Sequence, residues 1–208
     1  MHGYYINLDH RTDRKQHFEQ TIKVHPLLKD VERFSAIKGS PGYIGCGKSH
    51  IEVLKKLADK EGDCFLICED DLQIINKISF TKFVTNFNKI RYAGEWDLIT
   101  LTPFSPRVNY ENDTIMQQCG FIKLDAAQTT TGYIIKKTFI KTLLDNFQYA
   151  TCRLDEGKAY TTFAIDQYWK RLFRTHKVYC FRYIFASQLS GYSDIEKKHV
   201  NYTNELVR

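Results

Sequence analysis

The chain alternates short apolar runs with segments in which apolar residues recur every three or four positions. The run at 64–68, Cys-Phe-Leu-Ile-Cys, contains no charged residue, which is typical of a strand buried on both faces. In the segment at 45–59, Ile51, Leu54 and Leu57 form one apolar stripe, which predicts an amphipathic helix. The two patterns predict strands at 3–8, 31–36, 64–68, 96–101, 132–135 and 178–185, a strand or hairpin arm at 115–124, and helices at 12–24, 45–59, 80–90, 138–147 and 165–173.

This order of elements predicts the fold class. Strands that alternate with helices favour an α/β fold, a three-layer α/β/α sandwich with a mostly parallel, Rossmann-like sheet and right-handed crossovers. No repeat or Pro/Gly-rich linker interrupts the pattern, so we expect one domain over residues 1–208. Because such sheets bind ligands at the carboxyl ends of their strands, the residues that follow each strand are the first candidates for chemistry.

Composition narrows the class of protein. A hydrophobic content of 43% and an aromatic content of 14% argue against disorder. No apolar run approaches the roughly 18–20 residues that cross a bilayer, and the first residues lack a basic start and an apolar stretch, so we expect a cytoplasmic protein. The six cysteines are scattered, and Cys64 and Cys68 lie on one face of a predicted strand, which favours reduced core thiols.

The net charge favours an anionic partner. The chain carries a formal charge of +6 and has a pI near 8.9, which suits a ligand that bears phosphate. The basic residues are spread along the chain, with no basic helix and no RNA-binding signature. We therefore expect no nucleic-acid partner.

Three acidic residues, Glu69, Asp70 and Asp71, directly follow the apolar run at 64–68. They repel one another, and an apolar strand gains nothing from ending in them. If the strand geometry persists, Glu69 and Asp71 point to one side. Carboxylate oxygens suit Mg²⁺ or Mn²⁺, which keep positions open for substrate phosphates. A solvated acidic turn that caps the next helix is the alternative interpretation.

Three glycines, Gly42, Gly45 and Gly47, lie near the start of the helix predicted at 45–59. They let the backbone approach another group closely, and the free N–H groups at a helix N-terminus attract anions. Gly45, Ser49 and His50 are therefore candidate phosphate-binding residues. The Gly-Lys-Ser triplet does not have the spacing of a Walker loop, and Ser49 and His50 are equally compatible with a helix surface.

Two further segments carry candidate chemistry. After the first strand, a polar loop holds Arg11 and Arg14 close to Asn7, and arginine suits phosphate binding and stacking on a base. An ordinary N-capped helix is the alternative for that loop. Asp166 opens an aromatic-rich helix, where it is either a cap or a general base that faces an acceptor hydroxyl.

In their order along the chain, these segments resemble glycosyltransferase family 25, which includes lipooligosaccharide sugar transferases and collagen galactosyltransferases. The resemblance spans nearly the whole chain, and similar chains occur in large DNA viruses. The matching residues are Tyr5-Ile6-Asn7-Leu8-Asp9 with Arg11 and Arg14, Gly45-Cys46 with Ser49-His50, Glu69-Asp70-Asp71, Thr131-Gly132-Tyr133-Ile134-Ile135, and Gln188 with Ser193-Asp194-Ile195.

The resemblance implies a GT-A-type fold, an inverting mechanism, and Mn²⁺ or Mg²⁺ as cofactor. It also implies a nucleotide-diphosphate sugar donor, usually a UDP-sugar, bound by the N-terminal half, and a glycan or glycoconjugate acceptor bound by the C-terminal half. The segment 45–50 would close over the donor. Carried onto this sequence, the roles are metal binding for Glu69 and Asp71; donor binding for Asn7, Arg11, Arg14, Gly45, Ser49, His50 and Asp70; and the general base for Asp166, with Asp155 and Glu156 in reserve.

Other interpretations stay open at this point. A nucleotide-sugar-binding module without catalysis would keep the same acids. A metal-dependent phosphodiesterase or nuclease would usually gather acids and histidines from several strands for two metals. Asp194 either lies near the metal or caps a turn, and Tyr168 and Trp169 either stack on a sugar or pack in the core.

Overall fold

A computed structural model describes residues 1–109, 114–195 and 197–201. A π-helical turn, Phe18–Ile22, continues the helix Thr12–His17, and a 3₁₀ turn, Lys137–Phe139, leads into the helix Ile140–Asp155. The strands and helices in these residues are β1 Gly3–Asn7, α1 Thr12–His17, β2 Val31–Ser35, α2 Gly42–Ala58, β3 Cys64–Glu69, β4 Leu72–Ile74, α3 Lys77–Ile90, β5 Leu98–Thr100, β6 Phe104–Asn109, α4 Thr114–Gln118, β7 Phe121–Gln128, β8 Gly132–Lys136, α5 Ile140–Asp155, α6 Tyr160–Phe163, α7 Ile165–Tyr168, α8 Lys170–Phe173, β9 Val178–Phe181, β10 Ala186–Gln188, β11 Gly191–Ser193 and β12 Lys198–Val200.

Eight of these strands form one sheet in the order β2-β1-β3-β8-β5-β9-β7-β6. The pairs β1–β2, β1–β3 and β5–β9 are parallel, and β7 and β8 run antiparallel to each of their neighbours. Six strands therefore point one way and two point the other, which confirms the mostly parallel sheet. Two short antiparallel pairs, β4–β10 and β11–β12, lie beside it.

Helices cover both faces of the sheet, as the sequence predicts. Along β3, Cys64, Leu66 and Cys68 point into a core closed by the π-helical turn and α3. Phe65 and Ile67 point into a second core closed by α2, α5, α7 and α8. This alternation follows from the two-residue period of a strand. The three-layer sandwich is confirmed, and Cys64 and Cys68 share a face.

Some predicted elements are wrong in kind or in length. The segment at 115–124 begins as helix α4 and becomes strand β7 only at Phe121, after Gly120 takes a positive φ of 78°. The helix predicted to reach residue 24 ends at Ile22, since the residue before Pro26 disfavours the α conformation. The helix predicted at 165–173 is divided into α7 and α8 at Trp169.

The structure also contains elements that the pattern analysis did not predict. Strands β4, β10, β11 and β12 have three residues each, too few for a periodicity to be detected. No helix in the described residues combines the length and the apolar character needed to span a bilayer.

Candidate active site

The acidic cluster lies where two parallel strands end. In the register of β1 and β3, Ile6 lies beside Glu69, so the residues that follow meet at the same edge of the sheet. Asn7 Nδ2 donates to Asp70 Oδ2 at 2.7 Å, and Asn7 Oδ1 accepts from Arg33 Nε at 2.8 Å. Asn7 is only 1% exposed and lines neither of the two cavities described below. The structure thus places Asn7 behind Asp70, where its amide can orient that carboxylate, and donor binding by Asn7 stays a prediction.

Asp70 and Asp71 share one arginine. Arg14 Nη1 donates to Asp70 Oδ1 and to Asp71 Oδ2, each at 3.0 Å. Gln188 Nε2 also donates to Asp71 Oδ2, at 3.0 Å. The other oxygen of Asp71, Oδ1, is buried and has no hydrogen-bond partner among the described residues. Strand β3 ends at Glu69, so the expected placement of Glu69 and Asp71 on one side gives way to a turn in which Asp70 and Asp71 face Arg14 together.

Burial makes this turn electrostatically unusual. Burial, together with the charges of Glu69 and Asp70, raises the pKa of Asp71 to about 7, although Arg14 and Gln188 act in the opposite direction. Burial likewise raises the pKa of Asp70. Asp71 is 2% exposed, so the interpretation as a solvated acidic turn is wrong. A buried carboxylate with an unpaired oxygen is a strong acceptor for a cation.

Glu69 faces a different set of partners. Thr130 Oγ1 donates to Glu69 Oε1 at 2.7 Å, and His50 Nε2 lies 3.5 Å from the same oxygen. Thr130 is placed there because β8 runs antiparallel to β3, and Glu69 N–H donates to the Thr131 carbonyl oxygen at 2.8 Å. Burial raises the pKa of Glu69, but the interactions with His50 and Thr130 outweigh burial and hold that pKa below its usual value.

The glycine-rich stretch belongs to helix α2, which begins at Gly42, three residues earlier than predicted. Gly45, Ser49 and His50 therefore lie inside the helix, and the expectation that the segment 45–50 closes over a donor stays a prediction. A Cβ on Gly45 would lie 2.4 Å from the Ile37 carbonyl oxygen, so the glycine permits close packing. Ser49 Oγ accepts from Ile37 N–H at 2.8 Å. Ser49 and His50 are fully buried, which excludes the helix-surface interpretation.

A cavity of about 410 Å³ lies over this strand edge. Its lining includes Ser49, His50 and all three acids, together with the cations Arg11, Arg14, Lys38 and Lys197. Arg11 pairs with Asp13 and with Asp194, so its guanidinium is already engaged. Lys38 is exposed and has no hydrogen bond or ion pair with any residue that the structure describes. The sequence analysis missed Lys38, although the rule that ligands bind after strand ends applies to it, since β2 ends at Ser35.

A second cavity of about 200 Å³ holds Asp166. Asp166 Oδ2 accepts from Thr129 N–H at 3.3 Å, and Thr129 has a positive φ of 70°. Burial raises the pKa of Asp166, although the Thr129 N–H lowers it. Tyr160 lines the same cavity and stacks on Tyr43, with ring centroids 5.3 Å apart. No Lys or Arg in the described ranges lines this cavity, which adjoins the larger one at Glu69 and Cys46.

The remaining candidates lie elsewhere. Asp155 pairs with Lys48, and Glu156 pairs with Arg153; neither acid lines either of these two cavities. Trp169 is fully buried, and its indole N–H donates to the Ala127 carbonyl oxygen, so it packs in the core.

Asp194 lines the larger cavity. It accepts from Arg11 at 2.6 Å and lies 3.2 Å from His10 Nε2. These contacts tie the segment that contains β11 to the loop after β1. Arg14 Nη2 adds to them by donating to the Tyr192 carbonyl oxygen at 2.8 Å. Asp194 thus serves to close one wall of the cavity.

Comparisons with known proteins identify the family of the chain. A model of glycosyltransferase family 25, described as an LPS biosynthesis protein, matches residues 40–167. The chain is 24% identical over 172 residues to procollagen galactosyltransferase 1-B of Xenopus laevis, covering 68% of this chain and 28% of that protein. It thus spans little more than a quarter of the relative's length.

A solved structure shares the backbone fold. It is the crystal structure of a glycosyltransferase involved in the glycosylation of the major capsid of PBCV-1, with a TM-score of 0.57 and 11% identity. The superposition covers 94% of this chain and 95% of that one. At this identity the likeness supports the fold class.

Proposed function

Since the chain belongs to glycosyltransferase family 25, we propose that it transfers a sugar from a nucleotide-diphosphate donor, a UDP-sugar in the first instance, to a hydroxyl of a glycan or glycoconjugate. The reaction inverts the anomeric carbon and uses a divalent cation, Mn²⁺ or Mg²⁺. The observation that carries this proposal is the pair of adjoining cavities, one lined by cations and buried acids and the other holding the buried Asp166.

The larger cavity suits the donor diphosphate. Four Lys or Arg side chains line it, and phosphate oxygens are recognised by such groups. Arg11 and Arg14 are engaged with carboxylates, so their main effect is to hold the wall and the acids in place. Lys38 has no such partner, and we assign it the direct contact with phosphate.

The acids fit a divalent cation. Asp71 has an unpaired buried oxygen, and Asp70 and Glu69 line the same cavity. Oxygen donors of this kind are what Mn²⁺ and Mg²⁺ prefer. Asp71 would hold the cation, with Glu69 or Asp70 as the second carboxylate. When bound, the cation would supply positive charge against the negative charge that develops on the departing nucleoside diphosphate.

The smaller cavity suits the acceptor. Asp166 would accept the proton of the attacking hydroxyl, and the raised pKa of this buried carboxylate favours that role. A single displacement with inversion needs the base and the leaving diphosphate on different sides of the sugar, and two adjoining cavities provide separate places for them. Neither a covalent intermediate nor a second nucleophile is required.

The choice of sugar rests on the relative. Its name, procollagen galactosyltransferase, makes UDP-galactose the first donor to test. Lipooligosaccharide, protein-linked glycan and hydroxylysine all present hydroxyl groups that the smaller cavity could receive. A cytoplasmic location stays a prediction.

Thermal unfolding tests the proposal directly. A ligand that binds only the folded state raises the free energy of unfolding by about 2.7 kcal/mol when it is present at 100 times its dissociation constant. We expect UDP to raise the unfolding temperature only when Mn²⁺ or Mg²⁺ is present, and Asp71→Asn to abolish that rise. A hydrolysis screen over nucleotide sugars then identifies the donor.

Two results would contradict the proposal. Insensitivity to every nucleotide, with and without metal, would favour a role as an adaptor. Binding of UDP with metal but no transfer or hydrolysis of any nucleotide sugar would indicate a nucleotide-sugar-binding module without catalysis.

A further inference from the structure

A second group of ligand atoms lies at the junction of the two cavities, and its chemistry differs from that of Asp70 and Asp71. Cys46, His50 and Glu69 bring together a thiol, an imidazole and a carboxylate, and their ligand atoms all lie within 4.8 Å of one another. Cys46 and His50 are four residues apart on α2, so both side chains leave the same helix face. Glu69 meets them from the end of β3.

One ring nitrogen of His50 is left unpaired inside this group. His50 is fully buried, and its Nδ1 lies 3.0 Å from the Tyr133 hydroxyl oxygen. Its Nε2 has no hydrogen-bond partner among the described residues and lies 3.5 Å from Glu69 Oε1. A buried polar atom without a partner destabilises the fold. Without a cation, an Nε2–H or a charged ring favours the Glu69 carboxylate, as the lowered pKa of Glu69 indicates. When Nδ1–H donates to the Tyr133 oxygen instead, Nε2 offers its lone pair to a cation.

We propose that Cys46, His50 and Glu69 form a binding site for a thiophilic divalent cation, with Zn²⁺ as the best fit, separate from the oxygen ligands of Asp70 and Asp71. Thiolate, imidazole and carboxylate are the three ligand types that zinc accepts in proteins, whereas Mg²⁺ and Mn²⁺ favour oxygen. The proton of the Cys46 thiol passes to solvent as the sulfur–metal bond forms.

Three protein ligands leave one position of a zinc tetrahedron open. Cys46 and Glu69 line both cavities, so that position faces space that water or a small ligand can reach. Two of the ligands also have hydrogen-bonding partners that orient them, as ligands of protein metal sites usually do. Tyr133 meets the second nitrogen of His50, and Thr130 donates to Glu69, which orients both ligands.

Glu69 links this site to the reaction. A Glu69 carboxylate bound to a cation at Cys46 and His50 would no longer be available as a ligand for the cation held by Asp71. Zinc should therefore inhibit Mn²⁺-dependent transfer, and this consequence rests on the proposed function. Binding of the cation itself does not.

The test uses Co²⁺ in place of Zn²⁺, because cobalt bound to a thiolate gives a charge-transfer absorption band in the near ultraviolet. We expect the 208-residue chain to take up one Co²⁺ with that band, and stoichiometric Zn²⁺ to remove it. Cys46→Ser should lose the band. Cys152→Ser, which alters an exposed thiol outside both cavities, should keep it.

A second variant keeps the test decisive if Cys46→Ser does not fold. Tyr133→Phe keeps the buried ring but removes the hydroxyl that meets His50, and we expect it to weaken zinc binding by about 10–100-fold. Absence of a thiolate band in the wild type, or a band that persists in Cys46→Ser, would overturn the proposal. Stabilisation by UDP with Mn²⁺ is measured separately, so failure of the zinc site leaves the donor proposal intact.

Discussion

The two cavities differ most in how their buried carboxylates are surrounded. In the larger cavity, Asp70 and Asp71 share the guanidinium of Arg14, and four Lys or Arg side chains contribute to the lining. In the smaller cavity, Asp166 accepts from a backbone N–H, and no Lys or Arg lines the walls in the part of the chain that the structure describes. The first environment suits an anion together with a cation, and the second suits a neutral sugar hydroxyl.

The pKa values sharpen this contrast. Burial raises the pKa of both Asp71 and Asp166. Asp71 also feels two neighbouring acids and has an unpaired oxygen, whereas Asp166 has Glu69 as its nearby acid and a partner on its Oδ2. A raised pKa therefore favours cation binding by Asp71 and proton uptake by Asp166.

The largest expected effect is a loss of kcat when Asp166 in the smaller cavity is replaced. Asp166→Asn should lower kcat by about 10²–10⁴-fold, because a general base contributes a factor of that size. Titration calorimetry should show unchanged binding of UDP with Mn²⁺. Asp155→Asn is the matched control, since Asp155 pairs with Lys48 outside both cavities and should leave kcat unchanged. Normal turnover by Asp166→Asn would remove Asp166 from the role of base.

The next largest effect is a change in the KM for the donor that leaves the KM for the acceptor unchanged. Lys38→Met should raise the KM for the donor by about tenfold and leave the KM for the acceptor unchanged, because a charge-assisted hydrogen bond to phosphate is lost. Lys141→Met alters an exposed lysine on α5 that pairs with Asp145, and it should change neither value. An equal rise in both KM values would show that the cavities do not divide the substrates as proposed.

Tyr160→Ala should have a smaller effect, on binding of the acceptor rather than of the donor. It removes a half-exposed ring from the smaller cavity and should raise the KM for the acceptor by about two- to tenfold, as loss of an aromatic stacking surface does. Tyr149→Ala is the control, since Tyr149 is equally exposed but lines neither cavity. A rise in the donor KM alone would argue against an acceptor site here.

Much of the larger cavity could be predicted from sequence because its key residues follow strands directly. The acids come immediately after the apolar run that forms β3, and the arginines come after β1. A strand end is a local feature, so the sequence indicates it. The sequence does not indicate which side each acid faces, because that depends on β3 ending at Glu69 and on Arg14 reaching across from α1.

Other features depend on contacts between distant segments. Gln188 meets Asp71 through the three-residue pair β4–β10, and Thr130 meets Glu69 because β8 runs antiparallel. Such pairings leave no periodicity in the sequence. The sequence favours a ligand-binding function for Gly45, because its close packing against the Ile37 carbonyl oxygen is visible only in the tertiary structure.

The smallest effect concerns stability and tests the environment of Asp71 itself. Its pKa is about 7 in the fold and 3.8 as the ordinary value, so between these pH values the folded state binds more protons than the unfolded state. Stability contributed by this proton is therefore fully present below about pH 4 and is lost as pH rises through 7.

Asp71→Asn removes that loss. Without divalent metal at pH 8, we expect the variant to unfold about 2–4 °C above the wild type, which corresponds to about 1 kcal/mol. The gain is smaller than the pKa shift alone implies, because the asparagine amide is itself a polar group buried at this position and keeps part of the cost of burial. The difference should shrink as pH falls towards 4, and Mn²⁺ with UDP should stabilise only the wild type. A variant that is less stable at pH 8 would show that Arg14 fully compensates the buried charge, and Asp71 would then have no surplus charge for a cation.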